Sequence, residues 1–242
     1  MKEEHFFYVP NAANCHELPE EEARHAIRVL RLAVGDMLFI TDGEGKFFQA
    51  VVTETSNKHC LYEIRQTLPQ QRLWKGTIHL AMAPTKMMDR VEWFVEKATE
   101  IGVDTFSFLS CRFSERKVIR TDRLEKIVLS AVKQSKKAWV PQVNDMESFR
   151  DFIDRHQEGL RFIAHCYEEI EKEDFFRLLS HHPLLPEKRD VIILIGPEGD
   201  FSVDEVRYAL SKGYVSISLG EARLRTETAA LAAVMMTQLC QR

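Results

Sequence analysis

The sequence contains no long apolar run: the stretches Val191–Ile195 and Ala229–Met236 are far short of the roughly 18 residues of a membrane-spanning helix. No apolar signal core follows the first five residues, so we expect a cytoplasmic protein that does not associate with membranes. An excess of basic residues is also lacking, since 33 Lys and Arg stand against 37 Asp and Glu. The net charge of −4 argues against a globally basic, DNA-binding surface, and we expect no DNA partner.

Motifs that would identify several large enzyme classes are absent as well. The five cysteines, at positions 15, 60, 111, 166 and 240, form no C-x-x-C pair, so we expect reduced thiols and no metal site. The sequence lacks a P-loop, a G-x-G-x-x-G dinucleotide fingerprint, H-E-x-x-H and G-x-S-x-G. Kinases, NAD-dependent enzymes, zinc proteases and serine hydrolases therefore lose support.

Residues 1–70 have the pattern of a small β-rich domain. Strands are predicted at 6–9, 37–41, 47–53 and 60–66, with a Gly-rich hairpin turn at 42–45. A helix is predicted from Pro19 to Gly35, with a buried stripe of apolar residues at helical spacing: Ala23, Ala26, Ile27, Leu30 and Val34. Another face of this helix carries Arg24, Arg28 and Arg31.

Residues 67–76 are polar, contain Pro and Gly, and are predicted to link two domains. From residue 77 to 242 strands and helices alternate, which predicts an α/β domain with a mainly parallel sheet. The predicted strands are 78–83, 105–109, 162–164, 191–195 and 215–219, and the predicted helices are 86–101, 120–138, 171–179, 203–213 and 226–239.

Charge is unevenly distributed along the second domain. Between Arg112 and Lys137, nine Lys and Arg face three acids, whereas between Asp145 and Asp174 ten acids face four bases. A solvated helix face explains the acidic stretch. For the basic stretch, phosphate binding and a solvated face are equally good interpretations.

Two loops after the last two strands are candidate ligand sites, because open parallel sheets bind ligands at the carboxyl ends of their strands. The first, residues 195–201, reads IGPEGDF, although G-P-x-G is also an ordinary turn. The second, residues 219–229, reads LGEARLRTETA and leads into the last helix. That helix is apolar on nearly every side, which indicates a subunit interface or a helix wrapped by other segments.

Five segments, in order, resemble the RsmE family of ribosomal RNA methyltransferases, which methylate N3 of a uridine in 16S rRNA. They are residues 25–31 with 34–36, 96–103, 114–116 with 134–135, 196–199, and 219–220 with 224–229. This sequence departs from the family pattern at three positions. Asp200 stands where a second glycine is usual, Lys117 where Ser is common, and Lys137 where Arg is frequent.

The resemblance implies a PUA-like RNA-binding β-barrel at 1–70 and a SPOUT methyltransferase domain with a C-terminal trefoil knot at 77–242. It also implies S-adenosylmethionine (SAM) as cofactor, a homodimer, and 16S rRNA or the small ribosomal subunit as partner. The cofactor would lie against Ile195, Gly196, Glu198, Gly199, Leu219, Gly220 and Leu224, with Ala164 and His165 from a third strand. RNA would contact Arg24, Arg28, Arg31, Arg112, Arg116, Lys117, Lys133, Lys136 and Lys137.

For catalysis, the attacking uracil N3 must lose its proton, and the resulting negative charge spreads onto the neighbouring carbonyl oxygens. A cationic donor is needed there, and Arg225 is the candidate. Glu227 is a candidate for the base or for an orienting partner, although an acid in the first turn of a helix is also an ordinary stabilising feature. Three alternatives stay open: a SPOUT enzyme acting on a ribose 2′-OH, a non-catalytic rRNA-binding assembly factor, and a structural α/β subunit.

Overall fold

The computed structural model of the chain describes residues 4–181 and 190–242. Its internal contacts divide the chain into two units. The N-terminal unit comprises the chain up to Arg72 together with Leu129–Val140, and the C-terminal unit comprises Leu73–Val128 and Pro141–Arg242.

The N-terminal unit is built on a four-stranded sheet with strands in the order β1-β2-β3-β4: β1 (Phe6–Tyr8), β2 (Met37–Thr41), β3 (Lys46–Thr55) and β4 (Cys60–Pro69). β1 pairs with β2 in parallel, and the other two pairings are antiparallel. Alternate side chains such as Leu38, Ile40 and Phe48 point into a core that Ala23 and Ala26 close from the helical side. The four strands lie where the sequence predicts them.

The helix predicted up to Gly35 is shorter in the structure. α1 (Glu20–Arg24) continues as a π-helical turn, His25–Val29, in which the Leu30 amide bonds to the His25 carbonyl. The Asp36 carboxylate then accepts a hydrogen bond from the Ala33 amide at 2.9 Å and closes a turn. Val34, predicted to be buried, is 63% exposed, so that prediction is wrong. The helical segment ends at Val29 and Arg31 has φ of +56°, whereas the apolar spacing in the sequence continues beyond them.

The Leu129–Val140 segment packs with the N-terminal unit, whereas the predicted boundaries place it within the second domain. The amide of Gly45 donates to the carbonyl of Ala138 at 2.8 Å, and the Val140 amide donates to the Gly43 carbonyl at 3.0 Å. A Cβ on Gly45 would lie 2.8 Å from the Trp139 ring, so only glycine permits this contact. The local sequence pattern cannot indicate such hydrogen bonds, because they join residues that are far apart in the chain.

The C-terminal unit contains a seven-stranded sheet in which every pairing is parallel, with the order β7-β6-β5-β10-β8-β11-β9. The strands are β5 (Ile78–Met82), β6 (Thr105–Ser110), β7 (Gln142–Ser148), β8 (Leu160–Ala164), β9 (Glu173–Asp174), β10 (Val191–Ile195) and β11 (Val215–Ser218). Its helices are α2 (Met88–Ile101), α4 (Phe149–Arg155), α5 (Phe175–Ser180), α6 (Val203–Ser211) and α7 (Thr226–Cys240). A further helix, α3 (Thr121–Gln134), begins in this unit, and its residues from Leu129 onward belong to the N-terminal unit. The predicted α/β architecture with a mainly parallel sheet is confirmed.

Three elements of this unit have no counterpart in the prediction: β7, α4, and the short strand β9, which lies within the helix predicted at 171–179. β7 and α4 lie in the acidic stretch, where charged residues mask the apolar pattern of an edge strand and a short helix. The helix predicted at 171–179 begins only at Phe175, because the Asp174 carboxylate caps it by accepting from the Arg177 amide.

The last helix, α7, crosses back over the sheet. β11 pairs with β8 on the side opposite β10, yet α7 packs against α2, β5 and β10. Its inner face is buried at Ala230, Ala233, Val234 and Thr237, whereas Met235 and Leu239 are exposed. No helix in residues 4–181 and 190–242 is long and apolar enough to cross a membrane.

Candidate active site at the carboxyl edge of the sheet

Three neighbouring strands of the C-terminal unit end beside one another and place the predicted cofactor residues at one edge. β10 ends at Ile195, which pairs with Ala164 at the end of β8. Ala164 also pairs with Ile217 of β11. The loops that begin at Gly196, His165 and Leu219 therefore leave the sheet from adjacent strands, as parallel topology requires.

Glycines shape two of these loops in different ways. A Cβ on Gly196 would lie 2.9 Å from the Phe201 amide nitrogen, so a side chain there would break the turn itself. A Cβ on Gly199 would meet the Cβ of Phe113 at 3.2 Å. Gly220 has φ of +116° and nothing within 4 Å of a Cβ position, so its backbone borders open space.

The loop after β5 is held by Glu198 and Arg116. One Glu198 oxygen accepts a hydrogen bond from the Lys86 amide at 2.9 Å. The Arg116 guanidinium donates to the carbonyls of Thr85 and Lys86. Both side chains are therefore engaged with protein backbone, Glu198 through one of its two carboxylate oxygens.

His165 is buried and joins two strands. Its Nδ1 accepts a hydrogen bond from the Tyr167 amide at 3.2 Å, so the proton lies on Nε2, which donates to the Ser216 hydroxyl at 2.5 Å. Burial lowers the pKa of His165, which keeps the imidazole neutral. His165 therefore holds the loop after β8 against β11.

The two catalytic candidates begin α7. Arg225 is the N-cap residue and is exposed, and its side chain makes no capping hydrogen bond. Glu227 is buried, with one carboxylate oxygen 3.6 Å from Arg90 on α2. Its other oxygen is buried and has no hydrogen-bond partner in the described residues. Arg90 could not be identified from the sequence as part of this site, because its position beside Glu227 depends on the packing of α2 against α7.

Some of the basic side chains predicted to contact RNA in the N-terminal unit already form ion pairs with acidic residues, and others do not. Arg24 pairs with Glu20, Lys133 with Glu22, and Lys136 with Glu4. Burial lowers the pKa of Lys137. Arg28 and Arg31 are exposed and form no ion pair with any described residue.

Of the predicted RNA contacts in the C-terminal unit, Arg112 lies 3.8 Å from Asp204, a loose and exposed pair. Lys117 is exposed and forms no ion pair in the part of the chain that the structure describes. Across the same residues, no group of three His, Cys, Asp or Glu side chains is placed to hold a metal ion.

Comparison with known proteins identifies the family. A model described as "RNA methyltransferase domain" matches residues 72–238, and one described as "RNA methyltransferase PUA domain" matches residues 18–64. The chain belongs to this RNA methyltransferase family. It has an N-terminal PUA domain and an enzymatic domain, as the resemblance implied.

Relatives of this methyltransferase cover nearly the whole chain. "Ribosomal RNA small subunit methyltransferase E" of Rickettsia conorii is 29% identical over 92% of this chain and 89% of its own length. The crystal structure of a "probable rRNA-methyltransferase" from Porphyromonas gingivalis is 40% identical, with a TM-score of 0.86 and coverage of 98% and 100%. The SAM-bound "Ribosomal RNA small subunit methyltransferase E" of Neisseria gonorrhoeae is 26% identical, with a TM-score of 0.79 over 98% of each chain. The resemblance to the RsmE family is confirmed.

Proposed function

We propose that this methyltransferase transfers a methyl group from SAM to N3 of a uridine in 16S rRNA. The observation that carries the proposal is the pair of glycine-containing loops after β10 and β11, the two parallel strands that flank β8, with open space beside Gly220. The family membership and the likeness to a SAM-bound relative support the same function.

The loops fit a cofactor that is held mainly by main-chain groups. Such binding requires close approach of the ligand to backbone, which glycine permits. The residues proposed to hold SAM are Ala164, His165, Ile195, Gly196, Glu198, Gly199, Leu219, Gly220 and Leu224. When bound, SAM supplies an electrophilic methyl group on a good leaving group, so the protein's main task is to position the two reactants.

Arg225 is proposed to stabilise the negative charge on the uracil carbonyl oxygens as N3 attacks. Arg225 is exposed at the end of the loop that contains Gly220, and its side chain makes no capping hydrogen bond to α7. Glu227 is proposed as an orienting partner, because its carboxylate is buried and faces Arg90.

The direct test is methylation of 16S rRNA, as naked RNA and within the small subunit, followed by mass analysis of the nucleosides. We expect one 3-methyluridine per RNA. A 2′-O-methylated nucleoside would show the other SPOUT chemistry. RNA binding without any product would indicate an assembly factor.

Three finer structural features are also proposed: a PUA barrel, a trefoil knot and a homodimer. The return of α7 from β11 to β5 and β10 is the path that a C-terminal knot requires. The exposed side chains of Met235 and Leu239 give α7 an apolar outer face suited to a subunit interface. Sedimentation equilibrium measures the dimer directly.

Replacing Arg28 with glutamine should weaken rRNA binding and lower the salt dependence of the affinity. Each lost phosphate contact reduces the slope of log K against log salt by about 0.7 to 0.9. Arg24→Gln is the matched control, because the Arg24 guanidinium already pairs with Glu20 and should contribute less. Filter binding at several salt concentrations measures both, and equal slopes for wild type and Arg28→Gln would remove Arg28 from the interface.

A further inference from the structure

Asp200 occupies the turn after β10 in a conformation that L-residues rarely adopt. Its φ is +65°, in the left-handed region that favours glycine. Asp and Asn are the residues that tolerate this region best, because their short polar side chains can bond to nearby backbone. A non-glycine residue here indicates that the side chain compensates for the backbone strain.

Both oxygens of the Asp200 carboxylate accept hydrogen bonds from backbone amides. Oδ1 accepts from the next residue, Phe201, at 2.7 Å. Oδ2 accepts from Cys166, in the loop after β8, at 2.8 Å. Hydrogen bonds to an ionised carboxylate are stronger than neutral ones. A glycine at position 200 would leave the Cys166 amide without this partner.

The bond to Cys166 joins two loops beyond the point where their strands stop pairing. β8 and β10 are neighbours, and their ladder ends at the pair Ala164 and Ile195. A second link lies beside the first, since the Tyr167 hydroxyl donates to the Phe201 carbonyl at 2.6 Å. On the opposite side of the same turn, Glu198 bonds to the loop after β5. The turn after β10 is therefore braced against the loops on both sides.

We infer that Asp200 is a positioning residue for cofactor binding: its carboxylate fixes the turn after β10 against the loop after β8 in the conformation that accepts SAM. The inference rests on the proposed function. A ligand that binds through main-chain groups gains affinity when those groups are already ordered, because binding then costs less conformational entropy. The residue acts through the backbone of its neighbours and need not touch the reacting atoms.

The test compares Asp200→Gly with Asp200→Asn by calorimetric titration of the whole protein with SAM. Asp200→Gly should raise the Kd about tenfold, which corresponds to about 1.4 kcal/mol, through loss of both hydrogen bonds. Asp200→Asn retains one acceptor oxygen, so its Kd for SAM should lie between those of the wild type and Asp200→Gly. The KM for SAM should follow the Kd, with kcat at saturating SAM within about twofold of wild type.

Two measurements separate positioning from a purely structural role. The thermal midpoint without SAM should not fall in Asp200→Gly, because glycine relieves the strained φ while the hydrogen bonds are lost. Amide hydrogen exchange should become faster at both Cys166 and Phe201 in Asp200→Gly, and at only one of these two amides in Asp200→Asn.

Equal Kd values for wild type and Asp200→Gly would overturn the inference. A loss of kcat with unchanged KM would also overturn it, as would a fall in thermal midpoint that accounts for the weaker binding. If the wild type binds no SAM, with or without rRNA, the proposed function fails and the inference fails with it. If instead the wild type binds SAM and Asp200→Gly binds it with the same Kd, only the inference is overturned and the proposed function stands.

Discussion

Replacing Arg225 with alanine should lower kcat by about 10²- to 10³-fold and leave the Kd for SAM nearly unchanged. That factor is typical for removal of one donor that stabilises developing negative charge. The substitution should not destabilise α7, because the Arg225 side chain makes no capping hydrogen bond. Single-turnover kinetics with saturating SAM and rRNA measure the chemical step, and calorimetry measures SAM binding.

Arg223→Ala is the matched control for that experiment. Arg223 is also exposed, lies in the same loop, and carries the same charge. A general loss of positive potential would affect both variants alike, through rRNA affinity. A selective loss of kcat in Arg225→Ala would assign the effect to its position, and unchanged turnover would remove Arg225 from the mechanism.

Replacing Gly220 with valine should abolish measurable SAM binding, with the Kd raised by a factor of 100 or more. A β-branched residue strongly disfavours φ of +116°, so the loop must change its conformation. In addition, the valine side chain would project into the open space that borders Gly220, where the cofactor is proposed to lie. Calorimetric titration with SAM measures the loss.

Gly35→Val provides a matched control within the same chain. Gly35 has φ of +92° and nothing within 4 Å of a Cβ position, but it lies in the N-terminal unit. It should impose similar backbone strain without affecting SAM affinity. Gly196 is a poorer test site, because its Cβ would clash with the Phe201 amide inside the turn and disturb the loop itself. Retained SAM binding by Gly220→Val would refute the proposed pocket.

Features decided by short stretches of chain could be predicted from sequence. The uninterrupted aliphatic run Val191–Ile195 predicted a buried parallel strand, and β10 has those bounds with all five residues buried. Ser202 and Glu205 have the spacing of a capping box, which is a local sequence signature, and both of its hydrogen bonds are present at the start of α6. The glycine-containing loops were recognisable because backbone turns and strand ends leave local signatures.

Features that depend on contacts between distant residues required the tertiary structure. The pairing of Glu227 with Arg90 is one, and the bond from Asp200 to the Cys166 amide is another. The packing of Trp139 against Gly45 is a third, and it assigns Leu129–Val140 to the N-terminal unit.

Sequence periodicity reports which face of an element is apolar, so by itself the sequence determined most of the elements, the layered α/β architecture and the loops where chemistry was expected. It does not report which distant partner that face meets, because many pairings bury the same apolar area. The tertiary structure chose among those pairings. It decided which basic side chains form ion pairs, which carboxylates hold neighbouring loops together, and which glycine borders open space.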